Sequence, residues 1–243
     1  MNAPAPNLVH PRRKAAGVST PSPTPRPAAV RHLVWDWNGT LLDDARACMQ
    51  AINRMIAARG LRRLTLARYR EIFRFPVKSY YRELGFDLER EDWDVVAREF
   101  HDRYRVASRR APLRRGARTL LRRLRAAGVP MSILSASEES LLRGMLAARG
   151  LDRYFARITG IANLHAASKL DAAHGLAASL GLPPSRVLLV GDTTHDFEVA
   201  RGLGWRCVLL AGGHQSERRL RDCGCPVLPH LADVGRLLGV GGS

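Results

Sequence analysis

The apolar positions of this chain recur in two rhythms. Residues 31–36 form an apolar run that ends in an acid, which predicts a buried first strand with Asp36 at its carboxyl end. Residues 43–59 then carry Ala47, Ile52, Met55 and Ile56 at helical spacing, and Gly60 closes the pattern. Asp43 and Asp44 sit at the amino end of that expected helix, where its dipole favours negative charge. Helical patterns follow at residues 66–73, 78–84 and 91–108, and no strand is expected between Thr40 and Leu113. From Arg114 the two rhythms alternate. A helix at 115–127 ends at Gly128, and a strand at 130–135 ends in Ser135. Ser137 is expected to cap the next helix, with Glu138 and Glu139 in its first turn and Gly150 at its end. A strand at 156–161, a helix at 169–180, a strand at 186–190, a helix at 194–203 and a strand at 205–210 complete the series.

Strands alternating with helices predict an α/β fold with a parallel, doubly wound sheet. An all-helical stretch as long as the one before Leu113 does not fit inside a sheet. The expected organisation is therefore a core from residues 31–42 and 113–243 with an inserted helical cap at 43–112. Residues 1–30 are rich in Pro, Ala, Ser and Thr, contain four basic residues and no acid, and show no hydrophobic periodicity. They read as a disordered basic tail. Their prolines argue against an amphipathic transit helix, and they lack the apolar stretch of a secretory signal.

Composition adds limits. At 243 residues and 46% apolar content the chain can bury a sizeable core. No apolar run approaches the ~20 residues of a membrane span, so no membrane partner is expected. Cys48, Cys207, Cys223 and Cys225 have no zinc-like spacing and read as free thiols of a reducing, cytoplasmic compartment. The net charge of +17 invites a nucleic-acid reading. Against it, the arginines are spread through most helical patterns, aromatic residues are 6%, and no RNA-binding signature interleaves the two. An Arg-rich solvated surface that attracts anionic substrates at low salt is the expectation. Oligomeric state is not legible.

Four features fall at strand or helix ends in the parallel part. They are Asp36, Ser135, Lys169 and the Gly191-Asp192-Thr193-Thr194-His195-Asp196 loop. Strand carboxyl ends share one edge of a parallel sheet, so these groups can converge. Carboxylates beside a hydroxyl and a lysine suit a magnesium-dependent phosphoryl site, since magnesium prefers oxygen ligands and a lysine adds positive charge at the transferring oxygens.

At this point the chain resembles the haloacid dehalogenase superfamily, in its phosphoglycolate-phosphatase-like branch, over roughly residues 31–240. The first motif, D-x-D-G-T, appears as Asp36-Trp37-Asn38-Gly39-Thr40; the second-motif hydroxyl matches Ser135; the lysine matches Lys169; and G-D-x-x-x-D matches Gly191 to Asp196. The resemblance implies a Rossmann-like core with a helical cap, and a magnesium-dependent phosphatase acting on a small phosphorylated metabolite, by default a phosphoglycolate-like one. It implies Asp36 as the nucleophile that forms an aspartyl-phosphate. Asp36 and Asp192 would bind Mg2+ through carboxylates and Asn38 through its backbone carbonyl, with Asp196 supporting the metal through water or Lys169. Ser135 and Lys169 would orient the phosphate, and Gly39 and Thr40 would lend backbone amides.

Asn38 departs from the pattern, which has an acid there. Asn cannot protonate a leaving oxygen, a loss worth about 10²–10⁴-fold in rate. The open outcomes are a slow phosphatase, an enzyme for substrates with good leaving groups, or a phosphate-binding regulatory protein without turnover. A dehalogenase also uses an aspartate with a non-acidic neighbour two positions on, but it needs no magnesium, and the retained Asp192 and Asp196 argue against it. His195, in the metal loop, is a candidate for the missing proton transfer. Arg74 and Lys78 are cap candidates for substrate choice, in an Arg-rich surround that favours a solvated role. Trp35 and Trp37 are expected to pack in the core. The remaining histidines form no pair at ligand spacing and receive no role.

Overall fold

A computed structural model describes Met1 and residues 30–161 and 169–240. The tail expected at residues 1–30 lies outside the described residues, Met1 and Val30 excepted. Six parallel strands form one sheet: β1 (His32–Trp35), β2 (Met131–Glu138), β3 (Arg157–Ile161), β4 (Val187–Gly191), β5 (Arg206–Leu210) and β6 (Val227–Leu228), in the order β3-β2-β1-β4-β5-β6. The order runs outward in both directions from β1 and β4. The crevice beyond their carboxyl ends is therefore the topological switch point, where open α/β sheets bind ligands.

The central strands β1 and β4 are buried on both faces, which explains their unbroken apolar runs. Alternate residues divide between two cores. Leu33, Trp35, Ile133 and Val190 join α5 (Ala117–Ala126), α6 (Glu139–Ala147) and α10 (Leu231–Leu237), whereas Val34, Leu134 and Leu189 pack on α7 (Lys169–Leu180) and α8 (Thr194–Gly202). Trp35 and Trp37 are fully buried in the first of these cores, as the sequence led one to expect.

Between β1 and β2 lie α1 (Ala45–Ala58), α2 (Leu66–Ile72), α3 (Val77–Glu83) and α4 (Trp93–Ser108), with no named strand among them. They gather around a cluster of their own, built from Ile52, Met55, Ile56, Tyr69, Tyr80 and Val96. α4 shows the logic of the boundaries: the Asp92 side chain accepts from the amides of Asp94 and Val95, meeting donors the helix leaves open.

Two expectations at element ends need correcting. β2 does not stop at Ser135 but runs to Glu138, and α6 is capped by Glu138, whose carboxylate accepts from the Ser140 and Leu141 amides. Ser137 is still in the strand, its hydroxyl turned to Asn38. At α1, Asp44 holds the N-cap position but makes no side-chain cap bond, and the first turn holds no acid. Its carboxylate is drawn into the interior. α9 (Glu217–Arg221), β6 and α10 have no counterpart in the sequence reading.

Candidate active site

The first motif turns sharply out of β1. Gly39 has φ +72°, and a Cβ there would overlap the Asp192 carboxylate and the His214 ring, so the position needs glycine twice over. Arg114 holds the turn against the neighbouring loop, donating to Gly39 O at 2.8 Å and to Ala211 O at 2.6 Å. Asp36 follows β1 directly, and Asp192 follows the adjacent β4. Asp196 lies in the first turn of α8, where it forms a reciprocal cap with Thr193: the Asp196 amide donates to Thr193 Oγ1, and the Thr193 amide and hydroxyl donate to Asp196 Oδ2. Lys169 is the first residue of α7.

These elements bring carboxylate oxygens of Asp36, Asp192 and Asp196 within 4.8 Å of one another. All three side chains are buried. Lys169 Nζ donates to Asp36 Oδ1 and to Asp196 Oδ1, both at 2.6 Å. Asp192 accepts from the Thr40 hydroxyl at 2.8 Å and the His214 amide at 2.7 Å. Burial pushes the Asp36 carboxyl well up; Lys169 opposes this, and the charges of Asp196 and Asp192 add to it. Burial works against the charge on Lys169, but the carboxylates of Asp196 and Asp36 outweigh it and raise the ammonium's pKa. Asp196 feels the same burial, yet Lys169 holds its carboxyl below the ordinary range. Burial pushes the Asp192 carboxyl up as well, with the charge of His214 opposing it. One ammonium does not offset three acids held out of water, so the oxygen donors fit a divalent cation, which would favour their ionised forms.

A second buried network adjoins the first. Asn38 Nδ2 donates to Asp44 Oδ2 at 2.8 Å and to the Tyr104 hydroxyl at 2.6 Å, and Asn38 Oδ1 accepts from Ser137 Oγ at 2.7 Å and Ser135 Oγ at 3.3 Å. Both ends of the amide are therefore engaged. Asp44 is fully buried. It also accepts from the Tyr104 hydroxyl at 2.6 Å and the Gly39 amide at 2.7 Å, and its Oδ1 is 3.2 Å from His214 Nε2. Burial alone would lower the His214 pKa, but Asp44 and Asp192 raise it to about 9. Charged at neutral pH, His214 donates from Nε2 to Asp44 and from Nδ1 to the Tyr69 hydroxyl, 2.7 Å away. Burial disfavours the Asp44 anion, and the charge of His214 together with hydrogen bonds from His214, Tyr104 and Asn38 lowers its pKa regardless.

The expected site residues thus divide. Asp36, Lys169, Asp192 and Asp196 meet at one point, with Thr40 beside them. The Gly39 amide is already taken by Asp44, so it is not the open phosphate donor that the sequence suggested. Ser135 is buried with its hydroxyl toward Asn38. His195 does not reach the acids: its ring stacks on Phe75 with centroids 4.6 Å apart, its Nδ1 lies 3.5 Å from Glu198, and it is not among the residues lining the adjoining cavity. Arg74 pairs with Glu83, and neither Arg74 nor Lys78 lines that cavity. Asp44, Ser137, Tyr69, Tyr104 and His214 were missed as site residues. The available signal for His214 was its place after Gly212-Gly213, just past the carboxyl end of β5.

The cavity opens from the acids toward the helical unit. It has a volume of about 150 Å3, and its floor includes Asp36, Asn38, Lys169 and His214. No helix among the described residues is long and apolar enough to cross a membrane.

Comparison with known proteins agrees with this geometry. A family model described as haloacid dehalogenase-like hydrolase matches residues 30–204. The phosphoglycolate phosphatase of Agrobacterium fabrum is 30% identical over 178 residues, covering 69% of this chain and 75% of that protein. The phosphoglycolate phosphatase of Caulobacter vibrioides is 28% identical over 193 residues, covering 76% and 81%. Among solved structures, a haloacid dehalogenase-like protein from Agrobacterium tumefaciens superposes with a TM-score of 0.73 at 25% identity, covering 87% of this chain and 98% of that one.

A Cβ at Gly213 would overlap the Asp192 carboxylate. Gly213→Ala is expected to displace that acid and lower turnover by about 10²-fold, as misplacements near 1 Å do; steady-state kinetics on the folded variant check this. His214, raised from 6.5 to about 9, contributes stability that is complete below its ordinary value and is lost as pH rises through about 9. Asp44, lowered from 3.8, contributes stability above that value and loses it as pH falls through the depressed one. Thermal melts across this range should show an alkaline decline that His214→Gln largely removes.

Proposed function

Because the chain belongs to the haloacid dehalogenase-like hydrolases, in their phosphoglycolate-phosphatase-like branch, we propose that it hydrolyses small phosphate monoesters through an aspartyl-phosphate in a magnesium-dependent reaction. The observation that carries this is the convergence of Asp36, Asp192 and Asp196 within 4.8 Å, with Lys169 bridging Asp36 and Asp196, at the floor of a cavity. Asp36, Asp192, Asp196 and the Asn38 carbonyl would hold Mg2+. Bound there, the ion neutralises phosphate charge and acts as a Lewis acid.

The rest of the work falls to side chains of this chain. Asp36 attacks phosphorus. Lys169 keeps Asp36 in place and offers positive charge to the transferring oxygens. Thr40 fixes Asp192, and Thr193 fixes Asp196. Ser135 meets the phosphate once its hydroxyl turns from Asn38. The helical unit at 43–112 serves as the cap that excludes water. It reaches the core loop through Arg70, which donates to Gly213 O at 2.8 Å, and is met by Gln215, which donates to Phe73 O at 2.9 Å. Opening these bonds admits substrate.

Three outcomes test the proposal. Asp36→Asn is expected to reduce phosphatase activity to background, and a chelator should do the same to the native chain, with recovery on adding Mg2+. Activity that survives both would contradict the reading. Asn38→Asp places a second carboxyl 2.8 Å from Asp44. Two acids that close share a proton, so one is held protonated above its ordinary range. The variant is expected to gain about 10²–10⁴-fold on alkyl phosphates. Unchanged rates across the pH range would show that protonation of the leaving group does not limit turnover.

A further inference from the structure

The cavity above the acids has a composition at odds with the surface. The chain contains 36 arginines, and none of those among the described residues lines it. Its basic lining side chains are Lys169, His101 and His214. Lys169 is bonded to two carboxylates, and His214 is bonded to Asp44. A substrate carboxylate or second phosphate would therefore find no Arg fork in the walls, the group best suited to such anions.

The walls are aromatic instead: Phe73, Phe75, Tyr80, Tyr81, Trp93 and Phe100. Five of them form a continuous set of edge-on ring contacts, Phe73 with Phe75 at 5.5 Å and with Tyr80 at 5.4 Å, Tyr80 with Tyr81 at 5.7 Å, and Tyr81 with Trp93 at 5.3 Å, while Phe100 stacks on Tyr104 at 5.6 Å. A volume of about 150 Å3 suits one ring; an apolar protein cavity of about that size binds benzene. The Tyr80 hydroxyl is buried and has no hydrogen-bond partner among the described residues. Leaving such a group unpaired is unfavourable, and a ligand acceptor that met it would relieve that cost.

The reacting end points the same way. Asn38 stands where the chemistry would use an acid, and both ends of its amide are committed to neighbours. A phenolic oxygen leaves without a proton far more readily than an aliphatic one: a phenol ionises near 10, whereas water, a guide to simple alcohols, ionises at about 15.7.

We propose that the substrate is an aryl phosphate, a phosphate monoester of a phenol whose ring fills the aromatic cavity and carries a hydrogen-bond acceptor for Tyr80. This deepens the phosphatase reading and rests on it. Asp36 Oδ bonds to phosphorus as the P–O bond to the ring oxygen breaks, and the electron pair leaves on the phenolate, which takes its proton from solvent. Water then cleaves the aspartyl-phosphate, releasing inorganic phosphate and restoring the Asp36 carboxylate.

The test is a kinetic series on the full chain with Mg2+, using phosphoglycolate, phenyl phosphate and para-acetylphenyl phosphate. The expected result is a kcat/KM for both aryl esters at least about 10²-fold above phosphoglycolate, the low end of what a general acid supplies. Tyr80→Phe should raise KM for the acetylphenyl ester about five- to tenfold and leave phenyl phosphate within twofold, the span of one hydrogen bond. Equal or better hydrolysis of phosphoglycolate would overturn the substrate class while leaving the phosphatase intact. Equal effects of Tyr80→Phe on both aryl esters would overturn the acceptor contact. Failure to hydrolyse any of the three esters would overturn the phosphatase reading and this inference with it.

Discussion

Negative charge gathered out of water is the constraint on which the rest of this structure depends. Asp36, Asp192 and Asp196 are each at most 5% exposed, and their oxygens lie within 4.8 Å. Three carboxylates so placed repel one another and have lost their hydration. They stay together because the fold supplies what water would have supplied. Lys169 opens α7 where its ammonium reaches two of the acids, Thr40 and the His214 amide bond the third, and Thr193 ties Asp196 to the start of α8. The sheet order makes this economical, since β1 and β4 are neighbours whose connections leave in opposite directions.

The same reasoning explains the second network. Asp44 is a buried anion whose counter-charge is His214, and the two are held by Tyr69 from α2 and Tyr104 from α4. The helical unit is therefore not a passive cover. Its tyrosines complete the hydrogen bonding of groups rooted in the core, so packing the unit onto the core and assembling the floor of the cavity are one event. Asn38 is the hinge of this arrangement, touching Asp44 and Tyr104 on one side and Ser135 and Ser137 on the other. An acid in its place would set a third buried charge beside Asp44.

Much of this was legible in the sequence, for identifiable reasons. The strands and the longer helices announced themselves because burial on both sheet faces leaves unbroken apolar runs, and amphipathic helices leave a 3.6-residue rhythm. Asp36, Lys169, Asp192 and Asp196 stood out because strand and helix ends on one edge must meet. The second network was not legible. Asp44 looked like a helix-dipole residue because nothing local reveals that its carboxylate turns inward toward His214, 170 positions on. Ser137 and Glu138 are adjacent polar residues, and which one caps α6 is decided by Asn38 claiming the serine. The closing elements, α9 with five residues and β6 with two, are too short to show a period.

The central claim is that the carboxylate cluster completes its charge balance with one divalent cation. Calorimetric titration of Mg2+ into the native chain and into Asp192→Asn tests it most directly. One ion per chain should bind to the native protein, and the heat should vanish in the variant. Absence of binding to the native chain, or equal binding to both, would contradict the account.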